Sequence, residues 1–429
     1  MVEENKVPNF YVSNRNISPT IAEDFQIKFE APISIKLGNY CNAFWVKNVP
    51  NETSRIDLYF DAGSIYTQPI VASLAASMLL TGNKKFSSKQ IHEKLDFYGA
   101  YYDVEVTHFH CIVQLYALRE NLVNVIRIFI EALFSMGCLE NELKLISDEK
   151  KQKLSINLER TGIIAQRNFQ ELIFDGTQLS RLIKTADFKN IKIDQIEKFF
   201  KAHFLKGLSR IHVIGAISDT EFNTINELLE PLFAKKRKKI VSNFCNKKVS
   251  IHIPKKDALQ TAIRIGKICI NKKHSDFIGF SILCTILGDY FGSRLMKNIR
   301  EDKGYTYGIG CIIQELDDTG VFIILTEVGV DQRDLTLQEI KKEINILQNE
   351  LIPAEELKLV KNYLIGQALK AADGPYAQFD LFVGVDLFNL DLEYYERYLT
   401  RLKNISSEEL QALALKYLSW DDFSIVTAG

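Results

Sequence analysis

Spaced by their apolar positions, the residues of this chain fall into two passages that repeat one order of elements. Each opens on an apolar strand, Arg55–Ala62 in the first and Thr261–Cys269 in the second. A mostly apolar helix follows, Ile70–Leu80 and Phe277–Leu287. Next comes an amphipathic helix that stops at a glycine. Ile91, Leu95 and Tyr98 share a face ahead of Gly99, and Leu295 and Ile299 share one ahead of Gly304. Both glycines fit the place just past a helix end, where left-handed backbone is needed. Alternation then predicts strands over Val104–Leu118 and Tyr307–Thr326. Long amphipathic helices follow, marked by Leu122, Ile126, Phe129 and Leu133 and by Leu337, Ile340, Ile344 and Leu347. Helical patterns over Glu140–Leu158, Gln166–Phe174 and Asp194–Phe204, and over Ala354–Ala371, Leu390–Leu402 and Ser407–Tyr417, complete the two passages. Each closes on a short strand, Arg210–Ile217 and Phe423–Thr427.

The order predicts an α+β protein of two related lobes, each a mainly antiparallel twisted sheet with helices packed on one face. A chain of 429 residues is also too long for one ordinary core. The expected division is an N-terminal lobe over 1–234, a charged linker over 235–250 that opens on the basic run Lys235–Lys239, and a C-terminal lobe over 251–429.

Charge and cysteines narrow the function. With 53 Lys+Arg against 54 Asp+Glu, no net field favours nucleic acid or an anionic membrane surface. The 7 cysteines are scattered, none in a CxxC pair, and read as buried free thiols in a reducing compartment. The first residues lack the apolar core of a signal peptide, and no window has the unbroken apolar length of a membrane span. A cytoplasmic protein is expected.

The segment Gly292-Ser293-Arg294-Leu295-Met296-Lys297-Asn298-Ile299-Arg300-Glu301-Asp302-Lys303-Gly304-Tyr305-Thr306-Tyr307 carries a family resemblance. It resembles a C-terminal-lobe motif of the M16 peptidases, the group of pitrilysin, insulinase and mitochondrial processing peptidase. Ala354–Leu357 and Lys361–Leu364 are similar to a later helix of the same family. With the internal repeat, the resemblance spans essentially the whole chain. It implies the family's metallohydrolase fold and a peptide substrate.

Family members hold zinc with H-x-x-E-H on the first helix and a later Glu, where two histidines one turn apart chelate and the Glu activates the bound water. Here Met78-Leu79-Leu80-Thr81-Gly82-Asn83 resembles the segment that follows that motif, which puts Ser73, Ala76 and Ser77 at the ligand and base positions. The later Glu falls near Leu154-Ser155. No catalytic residue and no metal ligand are therefore expected in this chain.

The resemblance implies two substrate-binding residues. Tyr307 donates to the scissile carbonyl oxygen and Arg300 holds the peptide backbone; the plainer readings are a packed strand tyrosine and a helix-surface ion pair. Gly99–Val106 resembles the edge strand on which peptides are added, with Asp103 where Asn is usual. The implied function is a non-catalytic, peptide-binding subunit that supplies Arg300 and Tyr307 in trans to a zinc-bearing M16 partner, the zinc sitting in that partner. Two alternatives stand. One is a scaffold without peptidase role, as the core subunits of some respiratory complexes resemble. The other is a peptidase with a relocated metal site built from His92 and Asp96 on one helix face and His108 and His110 on one strand face.

Overall fold

The computed structural model describes residues 27–47, 49–82, 85–134, 140–235 and 244–429. The strands β1 (Ile33–Leu37), β2 (Cys41–Val46), β3 (Thr53–Phe60), β4 (Tyr101–Val106), β5 (Cys111–Leu118) and β6 (Leu208–Ile214) form one sheet in the order β1-β2-β6-β3-β5-β4. A second sheet joins β7 (Ser250–Ile253), β8 (Gln260–Cys269), β9 (Thr306–Leu316), β10 (Thr319–Gly329) and β11 (Ser424–Ala428) in the order β7-β11-β8-β10-β9. Neighbours are antiparallel except β2 with β6 and β7 with β11. The α+β reading with two mainly antiparallel sheets holds.

The helices of the first passage are α1 (Pro69–Ser77), α2 (Ser88–Phe97), α3 (Leu122–Phe134), α4 (Glu140–Asn157), α5 (Thr161–Ile173), α6 (Ile193–His203) and α7 (Asp219–Leu229). Those of the second are α8 (Phe277–Gly288), α9 (Arg333–Asn349), α10 (Ala354–Ala371), α11 (Pro375–Asp386), α12 (Glu393–Asn404) and α13 (Ser407–Tyr417). Successive strand residues point to opposite faces, so Ile56, Leu58 and Phe60 of β3 meet one core with Leu74, Phe129 and Phe222 from the helices. In the second sheet Ile263, Ile265 and Phe322 share a core with Phe280, Ile340 and Leu410. Gly99 and Gly304, at φ 59° and 66°, end their helices in the left-handed region as their spacing predicts.

The opposite face of each sheet is covered by a helix from the other half of the chain. α5 lies on β8 and β11, with Phe169, Ile173 and Ala165 against Val321, Val426 and Ala262. Backbone and helix approach so closely there that a Cβ on Gly266 would sit 2.9 Å from the Phe169 ring. Reciprocally, Phe379, Phe382 and Val383 of α11 pack on Val46, Tyr59 and Ile214 of the first sheet. The outward residues of β3 and β6 are therefore buried charges rather than a wetted face. Arg55 grips both Asp57 oxygens at 2.8 and 2.7 Å and Asp380 at 2.7 Å. Arg210 and His212 meet Asp386 at 3.2 and 2.7 Å.

Three sequence expectations differ in detail. The helix read through Leu295 and Ile299 widens to π geometry over Met296–Asp302. Cys41, Cys111, Cys284 and Cys311 are buried, but Cys245 is exposed and Cys269 only partly covered, while Cys138 lies outside the described residues. Burial pushes the Cys41 and Cys111 thiols up to about 12. Half of the expected linker, residues 236–243, also lies outside the described residues.

Candidate functional site

The first-helix face presents Ser73 and Ser77, both half-buried, with Ala76 buried between them. Ser77 Oγ donates to the Ser73 carbonyl at 3.0 Å, a local bond within α1. The side chain that reaches this face from α4 is Lys150, whose Nζ donates to Ser73 Oγ at 3.2 Å. Leu154 and Ser155, one turn further along, bring no carboxylate, and Ser155 Oγ bonds back to Lys151 at 2.9 Å. Burial pushes the Lys150 pKa down, Lys153 adds to that push and Glu149 opposes it. Two neutral hydroxyls and an ammonium form a donor set unfit for zinc, which takes imidazole, thiolate or carboxylate.

The alternative histidine set does not converge. His92 Nε2 lies 2.8 Å from the Tyr102 hydroxyl and its Nδ1 2.7 Å from the Ser88 carbonyl. His108 and His110 sit in the β4–β5 turn, not on a strand. Thr107 Oγ1 accepts from Phe109 N and His110 N, and this closes the turn just where the alternation pattern continues. Among the described residues no group of three or more His, Cys, Asp or Glu could hold a metal ion. The two turn histidines instead line a cavity of about 860 Å³ with Asp61, Glu315 and Phe388, between the ends of the two sheets. The sequence pattern gave no sign of this cavity, because its walls come from strand ends and turns far apart along the chain.

Tyr307 lies at the opening of β9, an edge strand of the second sheet, and Arg300 on the π segment that packs against that strand. Tyr307 is 93% exposed, so it is not a packed strand tyrosine. A bulge presents it: the β9–β10 register jumps between Thr326 and Val328, leaving Tyr307 and Gly308 opposite Glu327. Thr306 Oγ1 clamps the bulge, donating to the Glu327 carbonyl at 2.7 Å and accepting from Gly308 N at 3.1 Å. Arg300 sits on the π segment with its guanidinium 4.4 Å from the Phe291 ring centroid, and among the described residues it makes no ion pair. Neighbours hold that segment. Arg294 forks onto Glu356 at 2.9 and 2.8 Å, and Asn298 donates to Glu339 and Glu343.

β4 is the corresponding edge strand of the first sheet and touches α1. Asp103 lies on it, exposed and opposite Gln114. Each sheet thus ends in an open strand that follows a helix and a left-handed glycine.

Comparison with known proteins gives two family matches. Residues 44–181 match the insulinase family, peptidase family M16, and residues 190–364 match the peptidase M16 inactive domain. An uncharacterized zinc protease of Bacillus subtilis (strain 168) is 18% identical over 377 residues, covering 86% of this chain and 91% of that one. Among solved structures, a peptidase M16 inactive domain from Pseudomonas fluorescens superposes with a TM-score of 0.83 at 20% identity, covering 93% of this chain and 98% of the other. A protease from Helicobacter pylori gives 0.81 at 15% identity, covering 94% and 100%.

Proposed function

The chain belongs to the M16 peptidase family, and from that premise we propose that it is a non-catalytic, peptide-binding subunit of a two-chain zinc peptidase. The observation that carries the reading is the mismatch between the two ends of the chain's chemistry. The α1 face carries Ser73, Ala76, Ser77 and a Lys150 ammonium, while among the described residues Tyr307 is exposed and Arg300 makes no ion pair and rests on the Phe291 ring. A donor and a cation held ready at a bulged edge strand suit a site completed by another chain. Tyr307 would donate to the carbonyl oxygen of an extended peptide as charge develops there, and Arg300 would hold the neighbouring backbone. The partner would carry the H-x-x-E-H helix and its zinc, and the peptide would add to an open strand edge.

No helix among the described residues is long and apolar enough to cross a membrane. A cytoplasmic location and a lobe boundary over 235–250 belong to the same proposal.

The test is reconstitution. The chain is mixed with an M16 chain of the same source that has an intact H-x-x-E-H, and peptide hydrolysis is followed. Activity of the pair well above either chain alone supports the reading. A partner fully active alone and unchanged on mixing overturns it and leaves the scaffold alternative.

A further inference from the structure

An ammonium group has three N–H donors and no acceptor. Among the described residues, the Ser73 hydroxyl is the one hydrogen-bond partner of Lys150, and no carboxylate pairs with it. The group is half-buried, and of its charged neighbours on α4 Lys153 adds positive potential while Glu149 offsets part of it. One turn earlier on the same face of α4, Ser147 is buried and its hydroxyl has no hydrogen-bond partner. A half-buried ammonium with one neutral hydroxyl partner keeps N–H donors open to an anion.

α1, which carries Ser73, touches both α4 and the edge strand β4. We propose that Lys150, steadied by Ser73, binds a carboxylate of the peptide that lies along β4, either its C-terminus or an acidic side chain. The inference rests on the peptide-binding reading and names the group that is recognised. It is a binding role and not a nucleophilic one. Ser73 lies past the first turn of α1, where helix N–H groups are engaged with carbonyls one turn back, so no pair of free backbone donors is set at its hydroxyl.

The test uses three N-terminally labelled peptides of one apolar sequence: a free C-terminal acid, its amide, and the amide with one internal Glu. Each is titrated by fluorescence anisotropy into the whole chain and into Lys150→Met. One or both carboxylate peptides are expected to bind about tenfold more tightly than the neutral amide, as one charge-assisted hydrogen bond gives. The preference should vanish in Lys150→Met while amide binding stays. The two carboxylate arms tell terminal from side-chain recognition. An amide that binds as tightly as both carboxylate peptides overturns the proposal but leaves peptide binding standing, as does a preference that survives in Lys150→Met. If none of the three binds, the peptide-binding reading falls and this inference with it. Where Lys150→Met does not fold, Lys150→Gln takes its place, and an amide bound as tightly as both carboxylate peptides by the unaltered chain overturns the proposal without either variant.

Discussion

His212 and Asp386, 174 positions apart, share a 2.7 Å contact between imidazole Nε2 and carboxylate Oδ2, with the imidazole wholly buried. The carboxylate already faces Arg210 at 3.2 Å, so a second cation is not needed there. Burial lowers the His212 pKa below its ordinary 6.5, against the pull of Asp386; Arg210 adds to the lowering and Asp57 opposes it. The neutral ring donates through Nε2, and Nδ1 has no partner among the described residues.

The pH dependence of stability follows. Below about pH 6.5 the unfolded chain takes up a proton that the folded ring resists. The folded state binds fewer protons in that window, so stability falls as pH drops through it and is fully present above it. Urea unfolding at pH 7.5 and pH 5.5 should show a lower midpoint at the acid value, with the difference reduced in His212→Gln. Equal slopes in the two proteins would assign the effect to other groups.

Asp386→Ala should be far more damaging than its place near a helix end implies. It leaves Arg210 buried opposite no carboxylate, which costs about 3–5 kcal/mol. Chemical denaturation reads this directly. A loss under about 1 kcal/mol would mean that solvent enters beneath α11.

In a reconstituted active pair, Tyr307→Phe should lower kcat by about 10²–10³, the usual effect of removing one oxyanion donor. Its exposure means that the melting temperature of the isolated chain should hardly move. Arg300→Ala should raise KM as well, since it removes positioning. Unchanged kinetics for both variants in a demonstrably active pair would refute completion in trans.

Elemental analysis of the isolated chain, purified without chelators, should find no stoichiometric zinc. Ser73→His with Ser77→His and Ala76→Glu should still bind zinc poorly while Lys150 remains, because an ammonium at the Ser73 hydroxyl repels a dication. Adding Lys150→Glu should raise the affinity. One tightly held zinc in the unaltered chain, lost on His108→Ala, would revive the relocated site.

Much of the fold could be read from period and punctuation. Leu122, Ile126, Phe129 and Leu133 all turn inward, and the helix Ala354–Ala371 has the bounds its pattern set. What escaped was whatever depended on the other half of the chain. Arg55 and Asp57 alternate with Ile56 and Leu58 as a wetted strand face would, and only α11 makes them interior. α11 itself is short and its apolar residues answer to strands more than 160 positions earlier, so local periodicity gave it no weight. Of the candidate site, Ser73, Ser77, Arg300 and Tyr307 were visible because their flanks are distinctive. Lys150 was not, since α4 reads as a charged surface helix in which one lysine looks like the next.

The mutual covering of the two sheets sets an order of events during synthesis. When residue 214 has left the ribosome, every strand of the first sheet exists, yet Arg55, Asp57 and His212 still face water, because the helix that will bury them is more than 160 residues away. Meanwhile α5, already made, holds an apolar face whose sheet has not been translated. Until Asp380 and Asp386 arrive, the charges of the first sheet lack these partners, and Val46, Tyr59 and Ile214 on the same face lack their apolar cover. A stalled chain ending near residue 240 should bind a hydrophobic dye through the bare face of α5, and release it once the second half is supplied.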